Sequence, residues 1–407
     1  LFGTAHSYYS TEGSSQCIRA MLFLAMQGAL QSGKRPVLLA ARNAHKALLY
    51  AAALLDFDIR WLWPSAQAEG ALCSCPVTAE ALTGALHALA QQGISPFGVY
   101  VTSPDYLGGV QDIAALAMVC KENGVPLLVD NAHGAYLRFL PGGSQHPIAL
   151  GAAMCCDSAH KTLPAVTGGA YLHLGPDAPI QDEAAVRGAL ALFGSTSPSY
   201  LILQSLDACN AQLAGDWPRR LQQCCDALTT LRRKLNAQAA ERHCPVPLVR
   251  ESEPLKITLD AAALGRNGAE LADLLRAAQI ECEYADPRYV VLMFTPENPR
   301  LDYERLTAAL CTELQKLPQN LPQPVQGASG FVQLEQQCRV RCSIRQAVFA
   351  PQEVLPAEQA LGRICAMPTV SCPPAIPIVV SGEEVTAAAQ KLMRQYHVQT
   401  LSVLREK

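Results

Sequence analysis

Residues 125–174 read VPLLVDNAHGAYLRFLPGGSQHPIALGAAMCCDSAHKTLPAVTGGAYLHL, and the fold is decided in this stretch. The apolar run Pro126–Val129 predicts a buried strand that ends on Asp130. Ala152–Asp157 predicts a second buried strand, and Lys161 follows it after three residues. Short apolar strands of this kind are typical of a parallel sheet that is covered on both faces. We therefore expect Asp130 and Lys161 at the carboxyl ends of two strands, where open α/β sheets bind their ligands.

An acid and a lysine in these positions suit pyridoxal 5'-phosphate (PLP). The acid can keep the pyridine nitrogen of PLP protonated, and the lysine can hold its aldehyde as a Schiff base. A structural alternative is that Asp130 caps a helix and that Lys161 is a surface lysine. The pair alone leaves both interpretations open, so the rest of the chain has to decide between them.

The composition is that of a globular chain. The 407 residues are long enough for a large core that splits into two or three domains. Half of the residues are hydrophobic and only 16% are charged, which excludes a disordered chain. The formal net charge is -3 and basic residues form no run, so we expect neither nucleic acid nor a membrane as partner.

Two further features of the sequence bear on its location. No apolar run is long enough to span a bilayer, and LFGTAHSYYSTEG at the start lacks the order of a signal peptide. The sixteen cysteines lie mostly in apolar contexts and resemble buried hydrophobic residues rather than a disulfide framework. Cys73-Ser74-Cys75 is one residue short of a CxxC pair, and no second pair lies at zinc-ribbon spacing. We predict no metal site and a location in the reducing cytoplasm.

Strands and helices alternate over residues 1–175. Further strands are predicted at 36–41, 59–63, 97–102 and 168–174, with helices at 77–92 and 111–123 among them. This alternation predicts a three-layer α/β/α fold with a mostly parallel sheet. No GxGxxG motif follows a strand, which argues against a dinucleotide site of the Rossmann type.

The pattern changes after Pro247, where a β-α-β-β-α order predicts a small α+β domain. A stretch rich in Pro, Gln and Gly follows and reads as a linker. We predict four parts: a large α/β domain at 1–215, a small α+β domain at 216–318, a linker at 319–330 and a C-terminal domain at 331–407.

Two other segments offer groups for a cofactor. Gly13, Ser14 and Ser15 precede an apolar helical pattern, and the N-terminus of a helix binds anions such as phosphate. An ordinary serine N-cap is the alternative interpretation. His45 lies at the carboxyl end of a predicted strand, where an imidazole can stack on a flat aromatic cofactor.

These segments together resemble the ornithine/lysine/arginine decarboxylases, PLP enzymes of fold type I, which is the aspartate aminotransferase fold. The resemblance is strongest to shorter bacterial members that lack the N-terminal wing, and it covers nearly the whole chain. Its most specific motifs are Asp130–Gly134 and Asp157–Leu163. Supporting segments are Gly13–Ser15, Asn43–Lys46, Thr102–Gly108, Ser195–Tyr200, Phe349–Pro351, Gly362–Ile364 and Pro373–Pro377.

The resemblance implies a role for each candidate residue. Lys161 holds the cofactor aldehyde, Asp130 pairs with the pyridine nitrogen, and His45 stacks on the ring. The phosphate is surrounded by Gly13, Ser14, Ser15, Ser158 and His160. Ala132 and His133 lie beneath or beside the ring. Lys161 or His160 returns a proton to the α-carbon. The loop with Thr196 and Ser197 reaches the phosphate of a neighbouring subunit, because this fold builds its sites at a dimer interface.

The resemblance also implies the activity, which is the decarboxylation of lysine, arginine or ornithine to a diamine or polyamine precursor. It implies a homodimer or higher homo-oligomer with shared active sites. The chain has Met367 where the family commonly has an acid, Cys372 in place of Tyr, Ala375 in place of Gly and Asn131 in place of Glu. Two alternatives therefore stay open: an altered substrate or reaction, and a catalytically quiet homologue with a binding or regulatory role.

Overall fold

A seven-stranded sheet runs through the first of two units in this computed structural model, which describes residues 1–64, 71–318, 330–368 and 375–406. The first unit comprises Leu1–Asp105, Gln111–Ala214 and Ala328–Lys407. The second comprises Tyr106–Val110 and Gly215–Gly327. The finer division at 215, 318 and 330 stays a prediction.

The strands of the large sheet are mostly apolar runs of four or five residues. They are β1 (His6–Ser10), β2 (Val37–Ala41), β3 (Asp58–Leu62), β4 (Gly98–Thr102), β5 (Leu127–Asp130), β6 (Met154–Asp157) and β7 (Ala170–Leu174). Their spatial order is β1-β7-β6-β5-β4-β2-β3. β7 is antiparallel to both of its neighbours, and the other neighbouring strands pair in parallel. The predicted α/β fold with a mostly parallel sheet is confirmed.

Helices cover both faces of this sheet. They are α1 (Ser14–Gln31), α2 (Lys46–Leu55), α3 (Ala79–Gln91), α4 (Ile113–Glu122), α5 (Ala159–Thr162), α6 (Glu183–Leu192) and α7 (Tyr200–Ala214). Leu128 of β5 packs in one core with α1, α2 and α6. Leu127 and Val129 point to the other face and pack in a second core with α3 and α4. Alternate residues of one strand thus serve two cores, which makes three layers.

The second unit has an antiparallel sheet in the order β8-β10-β9. Its strands are β8 (Lys256–Asp260), β9 (Tyr284–Ala285) and β10 (Tyr289–Met293), and its helices are α8 (Trp217–Glu241), α9 (Gly268–Ala277) and α10 (Arg300–Lys316). Strand β9 is short, because only Tyr284 and Ala285 pair with β10.

The C-terminal part of the first unit forms a third, antiparallel sheet in the order β11-β13-β12. The elements are α11 (Gly330–Gln337), α12 (Ile344–Phe349), β11 (Gln352–Pro356), β12 (Cys365–Met367), α13 (Ala387–Gln395) and β13 (Thr400–Leu404). Met367 lies half-buried in β12, whereas Cys372 falls outside the described residues. Over the described ranges, no helix has the length and apolar character needed to cross a membrane.

Candidate active site

Asp130 is a buried carboxylate at the carboxyl end of β5. Its Oδ2 accepts a hydrogen bond from the Tyr100 hydroxyl (3.1 Å), and its Oδ1 accepts from the Ala132 N–H (3.2 Å). The Cys156 thiol also lies 3.7 Å from Oδ1. Burial, together with the nearby Asp130 charge, raises the pKa of Tyr100 well above its ordinary value, so this hydroxyl stays a donor. A carboxylate has about four lone-pair positions, so Asp130 can accept a further hydrogen bond.

Lys161 lies in the short helix α5, directly after β6. Its Nζ is 3.0 Å from Nε2 of His133, a buried residue in the turn that follows β5. β5 and β6 pair in parallel with Asp130 opposite Cys156, so the two turns emerge at the same edge of the sheet. The structure therefore brings the segments of Asp130 and Lys161 together as the sequence predicts.

Gly134 makes the tight turn after β5 possible. A Cβ at this position would overlap Oδ1 of Asn131 and would lie 2.7 Å from Cδ of Pro104. The Gly134 N–H donates to the Asn131 carbonyl (2.8 Å), which closes the turn. This close approach holds His133 where its ring meets Lys161.

His45 is the N-cap of α2, and its Nδ1 accepts a hydrogen bond from the Ala47 N–H (3.1 Å). Burial lowers the pKa of His45 to about 4; Asp130 acts to raise it, and Lys161 and Lys46 lower it further. Asp130 and Lys161 are thus close enough to act on this ring electrostatically. At neutral pH the ring is therefore uncharged, and it can stack on a flat cofactor.

The N-terminus of α1 meets α5 through two hydroxyl groups. The Ser158 hydroxyl donates to Oγ of Ser14 (2.8 Å), and the Gly13 N–H donates to the Gly168 carbonyl (2.9 Å). Gly13 precedes the helix with φ of 73°, a conformation that favours glycine, and no side chain caps the first turn. The N–H groups of Ser14 and Ser15 in the first helical turn and the hydroxyls of Ser14 and Ser158 can thus face one anion.

The remaining candidates are placed differently. Nδ1 of the half-buried His160 donates to the Gly169 carbonyl (3.0 Å). Thr196 and Ser197 lie in the exposed loop between α6 and α7, where the Ser197 N–H donates to Oγ of Ser195 (3.1 Å). Within the described part of the chain, neither Thr196 nor Ser197 hydrogen-bonds to Asp130, Ser158 or Lys161.

The structure adds residues that the motifs do not point to. Tyr100 is one, because its contact with Asp130 depends on the register of β4 and β5. Asn131 lies inside the Asp130–Gly134 motif, but its partner is not indicated there: its Nδ2 donates to Oδ1 of Asp157 (2.6 Å). Burial alone would raise the pKa of Asp157, but His146 and His173 outweigh it and hold the pKa well below its usual range. In the sequence, such residues could be found as polar side chains that face inward near the end of a buried strand.

Comparison with known proteins now adds the family. The family described as Orn/Lys/Arg decarboxylase, major domain, matches residues 1–260. The chain belongs to this family. The predicted resemblance is therefore confirmed, and so is the predicted enzyme class, a PLP-dependent amino-acid decarboxylase.

Individual relatives agree with the family assignment. The chain is 28% identical over 428 residues to the Bacillus subtilis uncharacterized protein YaaO, covering 100% of this chain and 83% of that protein. It is 27% identical over 392 residues to a Bacillus subtilis arginine decarboxylase, covering 95% of this chain and 76% of the relative. The Francisella novicida lysine decarboxylase structure matches with a TM-score of 0.78 at 18% identity, covering 99% of this chain and 70% of that one. That likeness shows a shared fold.

The lowered pKa of His45 predicts a pH dependence of stability. The pKa of His45 is about 4 in the folded chain and about 6.5 in the unfolded chain. Between pH 6.5 and pH 4 the unfolded chain therefore binds a proton at His45, whereas the folded chain does not. The contribution of His45 to the free energy of unfolding therefore falls as the pH drops from 6.5 to 4. His45→Gln removes this loss, so urea unfolding without cofactor should show wild type losing more stability than the variant between pH 7 and 4.5. The exposed His87→Gln controls for the loss of an imidazole, and parallel pH curves for wild type and His45→Gln would contradict the assignment.

Proposed function

We propose that this chain binds PLP and removes the α-carboxyl group of a basic amino acid, with arginine as the first substrate. The observation that carries the proposal is the pairing of Asp130 and Lys161 at the ends of adjacent strands. One is a buried carboxylate with room for another donor, and the other is an amine held against His133. This is the pair of functions that PLP chemistry needs from a protein.

The residues fit the parts of the cofactor. Oδ1 or Oδ2 of Asp130 would keep the proton on the pyridine nitrogen, and Lys161 Nζ would hold the aldehyde carbon. Ser14, Ser158 and the first turn of α1 would bind the phosphate, helped by Gly13, Ser15 and His160. The uncharged His45 ring would cover one face, with Ala132 and His133 near the other parts of the ring. When bound, PLP supplies the electron sink for the pair left on the α-carbon.

The protein's own groups would then manage the protons. Asp130 is fixed by Tyr100 and the Ala132 N–H, so it can hold its negative charge beside a cation without reorganising. Lys161 or His160 would return a proton to the α-carbon. Nδ1 of His160 is occupied by the Gly169 carbonyl, which leaves Nε2 as the atom that can transfer it.

Arginine is the proposed first substrate because the sequence relatives that carry a substrate in their names are mostly arginine decarboxylases. One observation favours a second candidate. Met367 stands where the family commonly has an acid, and an apolar residue in place of that acid suits a side chain with less positive charge. Decarboxylation of a neutral amino acid is therefore the second candidate function.

A panel of substrates tests the function. Release of CO2 from arginine, lysine, ornithine and norleucine would be measured on the PLP-loaded protein, with Lys161→Ala as the control for background release. The proposal predicts release from arginine above the other three. Release from norleucine alone would support the altered substrate, and no release by a PLP-loaded protein would support a quiet homologue.

We further propose that the active chain is a homodimer in the cytoplasm. The loop with Thr196 and Ser197 is flanked by exposed apolar side chains, namely Leu192 (60% exposed), Tyr200 (84%) and Leu201 (76%). Apolar side chains this exposed at both ends of one loop indicate a contact surface. Docking of a second copy there would let the loop reach the partner's phosphate.

The fifteen described cysteines are free thiols, which suits a reducing compartment.

Leu201→Asp tests the dimer. A charge in an apolar interface is strongly disfavoured, so we expect the variant to be monomeric at micromolar concentration in light scattering. Its dissociation constant for PLP should rise at least about tenfold, since the partner's loop is lost. Leu30→Asp, at an exposed leucine of α1, should leave both unchanged. A wild-type protein that is monomeric yet binds PLP would contradict the proposal.

A further inference from the structure

Four metal-ligating side chains converge inside the first unit, and none of them is among the residues proposed to hold PLP. They come from the segment before β6, from β6 itself and from β7, and they are His146, Cys155, Asp157 and His173. All four are fully buried. Cys155 and Asp157 share one face of β6 because they are two residues apart, and the antiparallel register sets Cys155 directly opposite His173.

Three of these ligand atoms lie close enough together to share one metal ion, and the thiol of Cys155 lies beside one of them. Nε2 of His146 and Nε2 of His173 lie 3.0 and 3.2 Å from the same oxygen, Oδ2 of Asp157. These three atoms all lie within 4.8 Å of one another. Sγ of Cys155 is 3.8 Å from Nε2 of His146. In a tetrahedral zinc site, N and O ligands are about 3.3 Å apart and N and S ligands about 3.5 Å apart.

We propose that these four side chains bind one zinc ion. Two imidazoles, a carboxylate and a thiolate are a ligand set that zinc accepts, and the thiolate disfavours magnesium and calcium. Shifts of a few tenths of an ångström would bring the two nitrogen–oxygen separations to the tetrahedral value, and the thiol of Cys155 has to turn toward Asp157 and His173 to complete the set. With four protein ligands the site is closed, so its role is structural rather than catalytic.

The outer contacts support a metal site. Nδ1 of His173 lies 2.7 Å from Oγ of Ser7, and the second carboxylate oxygen of Asp157 accepts from Asn131 (2.6 Å). Metal ligands in proteins are commonly oriented by outer partners of this kind. Through Asn131, the site would also fix the residue that follows Asp130.

The protons and charges balance on binding. Each imidazole presents the lone pair of Nε2 and carries its proton on Nδ1, so that His173 can donate to Ser7. Cys155 releases its thiol proton to solvent. The two negative charges of the carboxylate and the thiolate then balance the two positive charges of Zn²⁺. No unpaired anion is left buried, so the cost of burying one does not arise.

The rival account is a hydrogen-bond cluster without metal, in which both Nε2–H groups donate to Asp157. Metal analysis distinguishes the two. Wild-type protein, expressed with added zinc and purified without chelator, should contain one zinc ion per chain. Cys155→Ser and His146→Gln should lose most of it, whereas Cys120→Ser, at a buried cysteine of α4, should retain it.

A second measurement on wild type alone covers variants that fail to fold. X-ray absorption at the zinc edge should show one sulfur and three nitrogen or oxygen neighbours, and cobalt-loaded protein should show thiolate-to-cobalt absorbance. Zinc-free wild type after expression with added zinc would overturn the proposal. So would a zinc content that is unchanged in both Cys155→Ser and His146→Gln.

Discussion

Replacing Lys161 with alanine is expected to lower the decarboxylation rate by at least about 10³-fold, because both the covalent hold on PLP and a proton carrier are lost. The variant should also lose the visible absorbance that PLP shows when it is bound through an imine. Steady-state CO2 release from arginine and an absorbance spectrum of the PLP-incubated protein measure the two effects.

The matched control for Lys161→Ala is Lys121→Ala. Lys121 is an exposed lysine of α4 that pairs with Asp177 (3.1 Å), so its removal should change neither the rate nor the spectrum. A Lys161→Ala protein that keeps its rate within tenfold of wild type would show that another residue holds the cofactor.

Replacing Asp130 with asparagine is expected to lower the rate by about 10²–10³-fold, the size of effect that follows loss of one preorganised electrostatic group. Asparagine keeps Oδ1 as the acceptor for the Ala132 N–H, and its Nδ2 can donate to the Tyr100 hydroxyl oxygen, so the fold should persist. It loses the negative charge that holds a proton on the pyridine nitrogen. The value of kcat/KM for CO2 release and the thermal midpoint without cofactor separate the two effects.

Asp177→Asn, at an exposed carboxylate, is the control for Asp130→Asn and should leave the rate unchanged. An Asp130→Asn variant with normal kcat/KM would remove Asp130 from the proposed role. A variant whose thermal midpoint falls together with its rate would instead indicate a structural role for the buried carboxylate.

Much of the fold is predictable because the strands are buried. Runs such as Pro126–Val129 are apolar throughout, as expected for a strand that is covered on both faces. The residues between successive runs are numerous enough to form the covering helices. Strand β1 escapes this pattern because HSYYS is polar and forms an edge strand with one side exposed. The third sheet escapes it too, since β11 pairs with β13, more than 40 residues further along the chain.

The candidate site, like the fold, is predictable from the sequence only in part. Asp130 and Lys161 are predictable because strand ends meet at one edge of a parallel sheet. The contacts of Tyr100 with Asp130 and of His133 with Lys161 are fixed by side-chain packing across that edge, which residue spacing does not encode. The cluster around Asp157 depends on the register of β6 against β7. The part played by Thr196 and Ser197 depends on a second copy of the chain, and no single sequence contains that information.

Covalent trapping of the cofactor shows which lysine binds PLP. The protein would be incubated with PLP, reduced with borohydride, digested and mapped by mass spectrometry. We expect one phosphopyridoxyl group per chain, on the peptide that contains Lys161, and none on Lys46 or Lys121. A group fixed to another lysine, or no group fixed at saturating PLP, would contradict the proposal.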